Sequence, residues 1–183
     1  MDIKGMDDGL KVIALQQKQQ DENGNRYLKL GDAVEAGKQI HANGSPNEAT
    51  EFLVCDFSHR NKRACILMTN DKKHVIAIQN AHGNKRGNGT KKRKPKIVAI
   101  KNKMGDPEHI NTHDENDKLH EKVKNCAFRK FQKEGKKSFK LGLLTKEGTG
   151  RYFLNFECNG SGIASNICSD ATKRENACEF IFE

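Results

Sequence analysis

Residues 84–103 contain Lys85, Arg86, Lys91, Lys92, Arg93, Lys94, Lys96, Lys101 and Lys103, with no Asp or Glu among them. Such a run can bind anions. Clustered cations focus a positive field, and a charged polymer that meets it gains free energy by releasing its own counterions. Gly83, Gly87 and Gly89 permit tight backbone turns whose amides can join the side chains at sulfate or phosphate oxygens. Pro95 stiffens the exit into a strand that begins near Ile97. No aromatic side chain interrupts residues 84–96. A nucleobase would find nothing to stack on there, so the segment is expected to position anions without reading sequence. The candidate polyanion-binding residues are Lys85, Arg86, Lys91, Lys92, Arg93, Lys94 and Lys96. The whole chain carries a net charge of +9, and outside this segment 24 Lys and Arg face 24 Asp and Glu. The entire excess therefore sits in one place. Two plainer readings compete: a nuclear-import signal in Lys91-Lys92-Arg93-Lys94, or a merely solvated face.

Other reactive side chains point to less. Seven histidines are present, and His109 and His113, with Asp106, Glu108, Asp114 and Glu115 close in sequence, have a spacing that can ligate a divalent ion. In so polar a stretch a solvated loop is the expected meaning, and no metal or other cofactor is assigned. The six cysteines, Cys55, Cys65, Cys126, Cys158, Cys168 and Cys178, form no Cys-x-x-Cys pair. Their irregular spacing suits neither a zinc site nor a dense disulfide framework. Cys55, Cys126 and Cys178 lie inside apolar clusters, where a reduced cysteine acts as a small hydrophobe. Phosphate loops, dinucleotide fingerprints and nucleophile elbows are all missing, so no catalytic residue and no enzyme activity is expected.

The elements that must hold the basic segment are strands. Of 183 residues only 34% are hydrophobic and the mean hydropathy is -0.85, which predicts a lean core and long polar loops. Short stretches with β-branched or aromatic alternation predict strands at 11–16, 26–30, 52–57, 64–69, 74–79, 97–101, 127–131, 138–144, 152–156 and 178–182. The turn signals Asn23-Gly24, Asn43-Gly44-Ser45-Pro46, Asn70-Asp71, His82-Gly83-Asn84 and Asn159-Gly160 separate several of them. Helical periodicity is weak, with residues 114–124 the best stretch. Seven of the nine phenylalanines, Phe52, Phe57, Phe128, Phe131, Phe153, Phe180 and Phe182, are expected in the core.

An internal repeat narrows the architecture. NRYLKL is followed by a loop and EFLVCDF; KHVIAIQ by a basic loop and either KIVAIK or CAFRKF; GRYFLNFE by a loop and CEFIFE. From Tyr27 to Phe52 is 25 residues and from Tyr152 to Phe180 is 28, whereas Val75 to Phe128 is 53. Residues 104–125, rich in charge, supply most of the difference and are expected as a long surface excursion. Three such units predict one all-β domain, a β-trefoil over residues 1–183, with repeats near 10–57, 58–131 and 132–183.

The stretch VIAIQNAHGNKRGNGTKKRKPKIVAI resembles the heparin-binding segment of the fibroblast growth factors, NRYLKL resembles an internal strand of theirs, and the C-terminal GRYFLNFECNGSGIASNICSDATKRENACEFIFE resembles the last repeat of interleukin-1-type ligands. The chain is thus similar to the β-trefoil cytokines. This resemblance implies a secreted or leaderless signalling ligand, with a sulfated glycosaminoglycan and an immunoglobulin-domain cell-surface receptor as partners. GNRYLKL and GRYFLNF are equally similar to strands of fascin-type proteins, which implies the alternative of a cytoplasmic or nuclear β-trefoil that binds actin or nucleic acid. No run of about 18 apolar residues occurs, so membrane insertion is not expected, and the N-terminal MDIKGMDDGL lacks the apolar core of a signal peptide.

Overall fold

Alternation of apolar and polar residues favours strands that bury one face, and a computed structural model, which describes residues 2–15, 26–34, 37–79, 96–158, 164–167 and 174–183, is accordingly all-β. Its strands are β1 (Gly5–Leu15), β2 (Tyr27–Val34), β3 (Gly37–Gly44), β4 (Glu51–His59), β5 (Lys62–Thr69), β6 (His74–Gln79), β7 (Lys96–Lys101), β8 (Ala127–Gln132), β9 (Phe139–Leu144), β10 (Gly150–Arg151), β11 (Leu154–Cys158), β12 (Ala164–Ile167) and β13 (Glu179–Phe182). Two 3-10 turns, Pro107–His109 and Arg174–Asn176, are the only helical elements among the described residues. The stretch 114–124 forms turns, with a single bridge between His113 and Leu119.

Six strands pair around a ring. β1 pairs with β13 and β4, β4 with β5, β5 with β8, β8 with β9, and β9 with β13, every pairing antiparallel. Closure satisfies the ladder on both sides of each strand and removes exposed edges. Three hairpins, β2–β3, β6–β7 and β11–β12, fall between β1 and β4, between β5 and β8, and between β9 and β13. Of the two strands that could close the middle unit, the ring strand is β8, whereas Lys96–Lys101 is the second strand of its hairpin. The hairpins meet closely. At Gly37, with φ +147°, an added Cβ would lie 2.3 Å from the Ala99 carbonyl oxygen, so only glycine lets β3 approach β7.

Two apolar clusters lie on opposite faces of the ring strands. One contains Val12, Phe52, Val54, Cys65, Leu67, Phe128, Leu141, Leu143 and Phe180 together with hairpin residues such as Leu28, Ile40, Ile76, Ile97 and Phe156. The other contains Leu53, Cys55, Phe57, Ala64, Ile66, Met68 and Ala127. Each fully buried large side chain contributes about 1.5–3 kcal/mol relative to exposure. Burial on both faces explains the unbroken apolar run Ala64-Cys65-Ile66-Leu67-Met68 in β5. The segment 104–125 is mostly exposed, as expected of a surface excursion, but it also covers the second face. Its Ile110 and Val123 are buried against that cluster, Pro107 and Thr112 are buried as well, and Met104 and Leu119 pack at its margin. A strand face that would otherwise meet water is what pulls these sparse apolar groups inward.

Cys55, Cys65 and Cys126 are buried free thiols. Loss of hydration pushes each thiol up to about 12, with Asp56 adding to the rise at Cys55 and Cys65. All three should resist a thiol reagent at pH 8 in the native protein and react once denaturant is added. Because the folded values exceed the unfolded one of about 9, the thiols' contribution to stability is complete below pH 9. It falls as pH rises toward 12, so chemical melts between pH 8 and pH 11 should show declining stability. Rapid native labelling at pH 8 would show that these thiols are not enclosed.

Candidate anion-binding surface

The basic segment joins the two strands of one hairpin. β6 and β7 pair without a bulge from His74 opposite Lys101 to Gln79 opposite Lys96, so the ends to which residues 80–95 are joined are one paired position. Lys85, Arg86, Lys91, Lys92, Arg93 and Lys94 lie outside the described residues, whereas Lys96 is exposed at the strand end. Lys101 and Lys103, at the other end of β7, are also exposed. The anchoring strands are rigidly built, since Val75, Ile76, Ala77, Ile78, Ile97, Val98 and Ala99 are all buried.

A second group of cations gathers where the sequence suggests only balanced charge. On β8, Arg129 and Phe131 lie beside each other, and the register places Phe131 opposite Lys140 of β9. The Arg129 guanidinium lies 4.2 Å from the Phe131 ring centre and that of Arg174 lies 4.8 Å from it. Phe153 packs on the same ring at 5.1 Å. Gly150 makes room for this arrangement, because a Cβ there would stand 2.5 Å from the Phe131 ring edge. The Lys140 amine donates to the Arg174 carbonyl at 2.7 Å. Lys130 sits over Phe139 at 4.3 Å and near Phe182 at 5.2 Å. Phe131 and Phe182 are thus only half-buried and serve as platforms for cations, while Phe52, Phe57, Phe128, Phe153 and Phe180 are buried in the core as expected.

The electrostatics of this cleft are those of crowded like charge. Burial, and then the charge of Arg174, pulls Arg129 below its ordinary value. Burial likewise lowers Lys140, with Lys133 and Arg174 adding to it against the opposing pull of Glu179 and Glu175. Among the described residues, none of Arg129, Lys130, Lys133, Lys140 and Arg174 makes an ion pair within 4.0 Å. The signal that could have revealed the group is the interleaving in Phe128-Arg129-Lys130-Phe131, followed by Lys133, Lys136, Lys137 and Lys140.

The histidines settle into a fastening. His59 is buried, and its Nε2 lies 2.9 Å from the Lys146 carbonyl oxygen. A carbonyl only accepts, so Nε2 carries the proton and Nδ1 accepts from His113 Nε2 at 2.8 Å. His113 Nδ1 lies 2.9 Å from the Thr112 hydroxyl. The two rings stack at 5.0 Å, tying the 104–125 segment to the turn after β9. Asp2 approaches the same ring at 3.5 Å. Burial pushes its carboxyl up, but the His113 charge and the Thr112 amide together hold it below the usual carboxylate range. Among the described residues no three His, Cys, Asp or Glu side chains gather as a metal site requires. His109 and His113 do not form one: His113 is engaged by His59, and His109 lies in the 3-10 turn Pro107–His109. No helix of the described residues is long and apolar enough to cross a membrane.

Compared with known protein families, curated proteins and solved structures, the chain gives no match. Its own residues must therefore carry the functional reading.

Proposed function

We propose that this chain is a non-enzymatic β-trefoil signalling ligand that binds a sulfated glycosaminoglycan through its basic segment and an immunoglobulin-domain receptor through another surface. The observation that carries the polyanion reading is the paired anchor of the segment. Six cations between residues 85 and 94, with no carboxylate among them, are tethered to the ordered Gln79 and Lys96 ends of one hairpin. Such a tether concentrates charge at one place on a rigid body, which favours a polymer that exchanges many counterions at once. In support of the β-trefoil, a hairpin falls in each of three gaps of a six-strand ring, and the strands that follow the hairpins send Phe52, Phe128 and Phe180 into one buried cluster. Threefold use of one unit is how that fold buries faces that no single unit could cover.

In the test, tagged chain is added to cultured cells before and after heparan sulfate lyase. Saturable surface binding is expected to fall about tenfold or more with the enzyme, because the glycan supplies one of two linked contacts. Staining confined to nuclei or cortical actin in expressing cells, with no surface binding, would instead establish the intracellular alternative.

A further inference from the structure

We propose that the cleft between β8, β9 and the 3-10 turn Arg174–Asn176 is a second anion site, separate from the basic segment, that grips a sulfate ester of a glycosaminoglycan. The cleft has a volume of about 510 Å³, the scale of a small saccharide unit. Five cations line it, Arg129, Lys130, Lys133, Lys140 and Arg174, against the carboxylates of Glu175 and Glu179. Glu179 is also 4.0 Å from Lys136, so its charge is shared between that amine and Lys140.

The arginines are oriented by what they touch. A guanidinium engaged by an aromatic ring keeps its in-plane N–H groups available, and such a fork matches the paired oxygens of a tetrahedral oxyanion. Both Arg129 and Arg174 are placed in this way by the single Phe131 ring. Lys140 braces Arg174 through its carbonyl at 2.7 Å, and Lys130 is held over Phe139. Two forks and three amines, on strands and on the turns beside them, thus await a multiply charged ligand, and an oxyanion between them would relieve their mutual repulsion.

Sulfated saccharide fits better than nucleic acid. Phe131 is already engaged by two guanidiniums and by Phe153 at 5.1 Å, so it is not a free platform for a base. The site lies on described strands and turns, so it stands or falls apart from the basic segment.

The test uses the full chain with Lys91, Lys92, Arg93 and Lys94 changed to Ala, titrated with a heparin-derived tetrasaccharide. Nuclear magnetic resonance of the Arg129 and Arg174 side-chain N–H groups should show saturable shifts. The double change Arg129→Gln and Arg174→Gln should weaken binding at least tenfold. The double change Arg129→Lys and Arg174→Lys, which keeps charge but not the fork, should restore only part of it. Silent arginine resonances would overturn the site with no mutation in the cleft. An equal response to a desulfated tetrasaccharide, or tighter binding of a single-stranded oligonucleotide of equal charge, would overturn the assigned ligand. If the intact chain binds heparin while the arginines stay silent, the cleft alone fails. If the arginines shift and the four Ala changes leave the affinity for heparin unaltered, the basic segment alone fails.

Discussion

Changing Phe128 to Ala is expected to destabilise the fold by about 3–5 kcal/mol, a large loss for one side chain. The side chain is fully buried and belongs to β8, which pairs on one side with Cys65 of β5 and on the other with Leu143 of β9. Removing the ring leaves a cavity in the middle of the strand ring, where neighbours on both sides are fixed by ladder hydrogen bonds and can collapse little. For a domain of this size each kcal/mol moves the melting temperature by about 2–4 °C. A fall of roughly 6–20 °C is therefore expected. Phe131, on the opposite face of the same strand and only half-buried, provides the comparison. Its replacement by Ala should cost markedly less and should loosen Arg129 and Arg174. If Phe131→Ala proves the more damaging change, the inward and outward faces of β8 are the reverse of those described.

How far the fold could be read from sequence varied with how local the signal was. β6 runs from His74 to Gln79, the same span the alternation predicts, because Val75, Ile76, Ala77 and Ile78 speak for themselves. β3, Gly37–Gly44, escaped prediction. In GKQIHANG only Ile40 and Ala42 are apolar and two glycines flank them, so the strand exists by virtue of its pairing with β2 and β7. β1 likewise reaches back to Gly5, through polar residues with no strand pattern of their own, because β4 offers Asp56, Cys55 and Val54 as partners. The segment 104–125 looked like surface because Ile110 and Val123 are thinly spread among charges. That they are buried depends on the uncovered outer face of β4 and β5, which is a tertiary property.

The same distinction separates the two basic regions. Residues 84–103 stand out because their cations are consecutive in sequence. The cleft on β8 and β9 did not, because the six cations of residues 129–140 are interspersed with other residues and offset by carboxylates elsewhere in the whole-chain balance, and Arg174 lies 34 residues beyond Lys140. Only the cross-strand register, with Phe131 opposite Lys140, and the return of the chain at Arg174 bring them to one ring.

Changing Lys91, Lys92, Arg93 and Lys94 to Ala should have the largest effect on binding. Each cation that replaces a counterion on a linear polyanion contributes about 0.7–0.9 to the slope of log K against log salt. Loss of four such contacts should lower that slope by about 3. The four positions fall, in sequence, between Gln79 and Lys96, in a stretch with no Val, Ile, Leu, Met or aromatic residue from 84 to 96, so the melting temperature should be unchanged. A residual slope from the cleft on β8 and β9 is expected to remain.

The proposed polyanion binding rests first on the one tethered basic segment. Its most direct test is the affinity for heparin measured from about 0.05 to 0.5 M salt, for the native chain and the four-Ala variant side by side. Two linear plots are expected, the variant weaker throughout and its slope smaller by about 3. Superimposed plots, or a native chain whose affinity does not fall with salt, would contradict it.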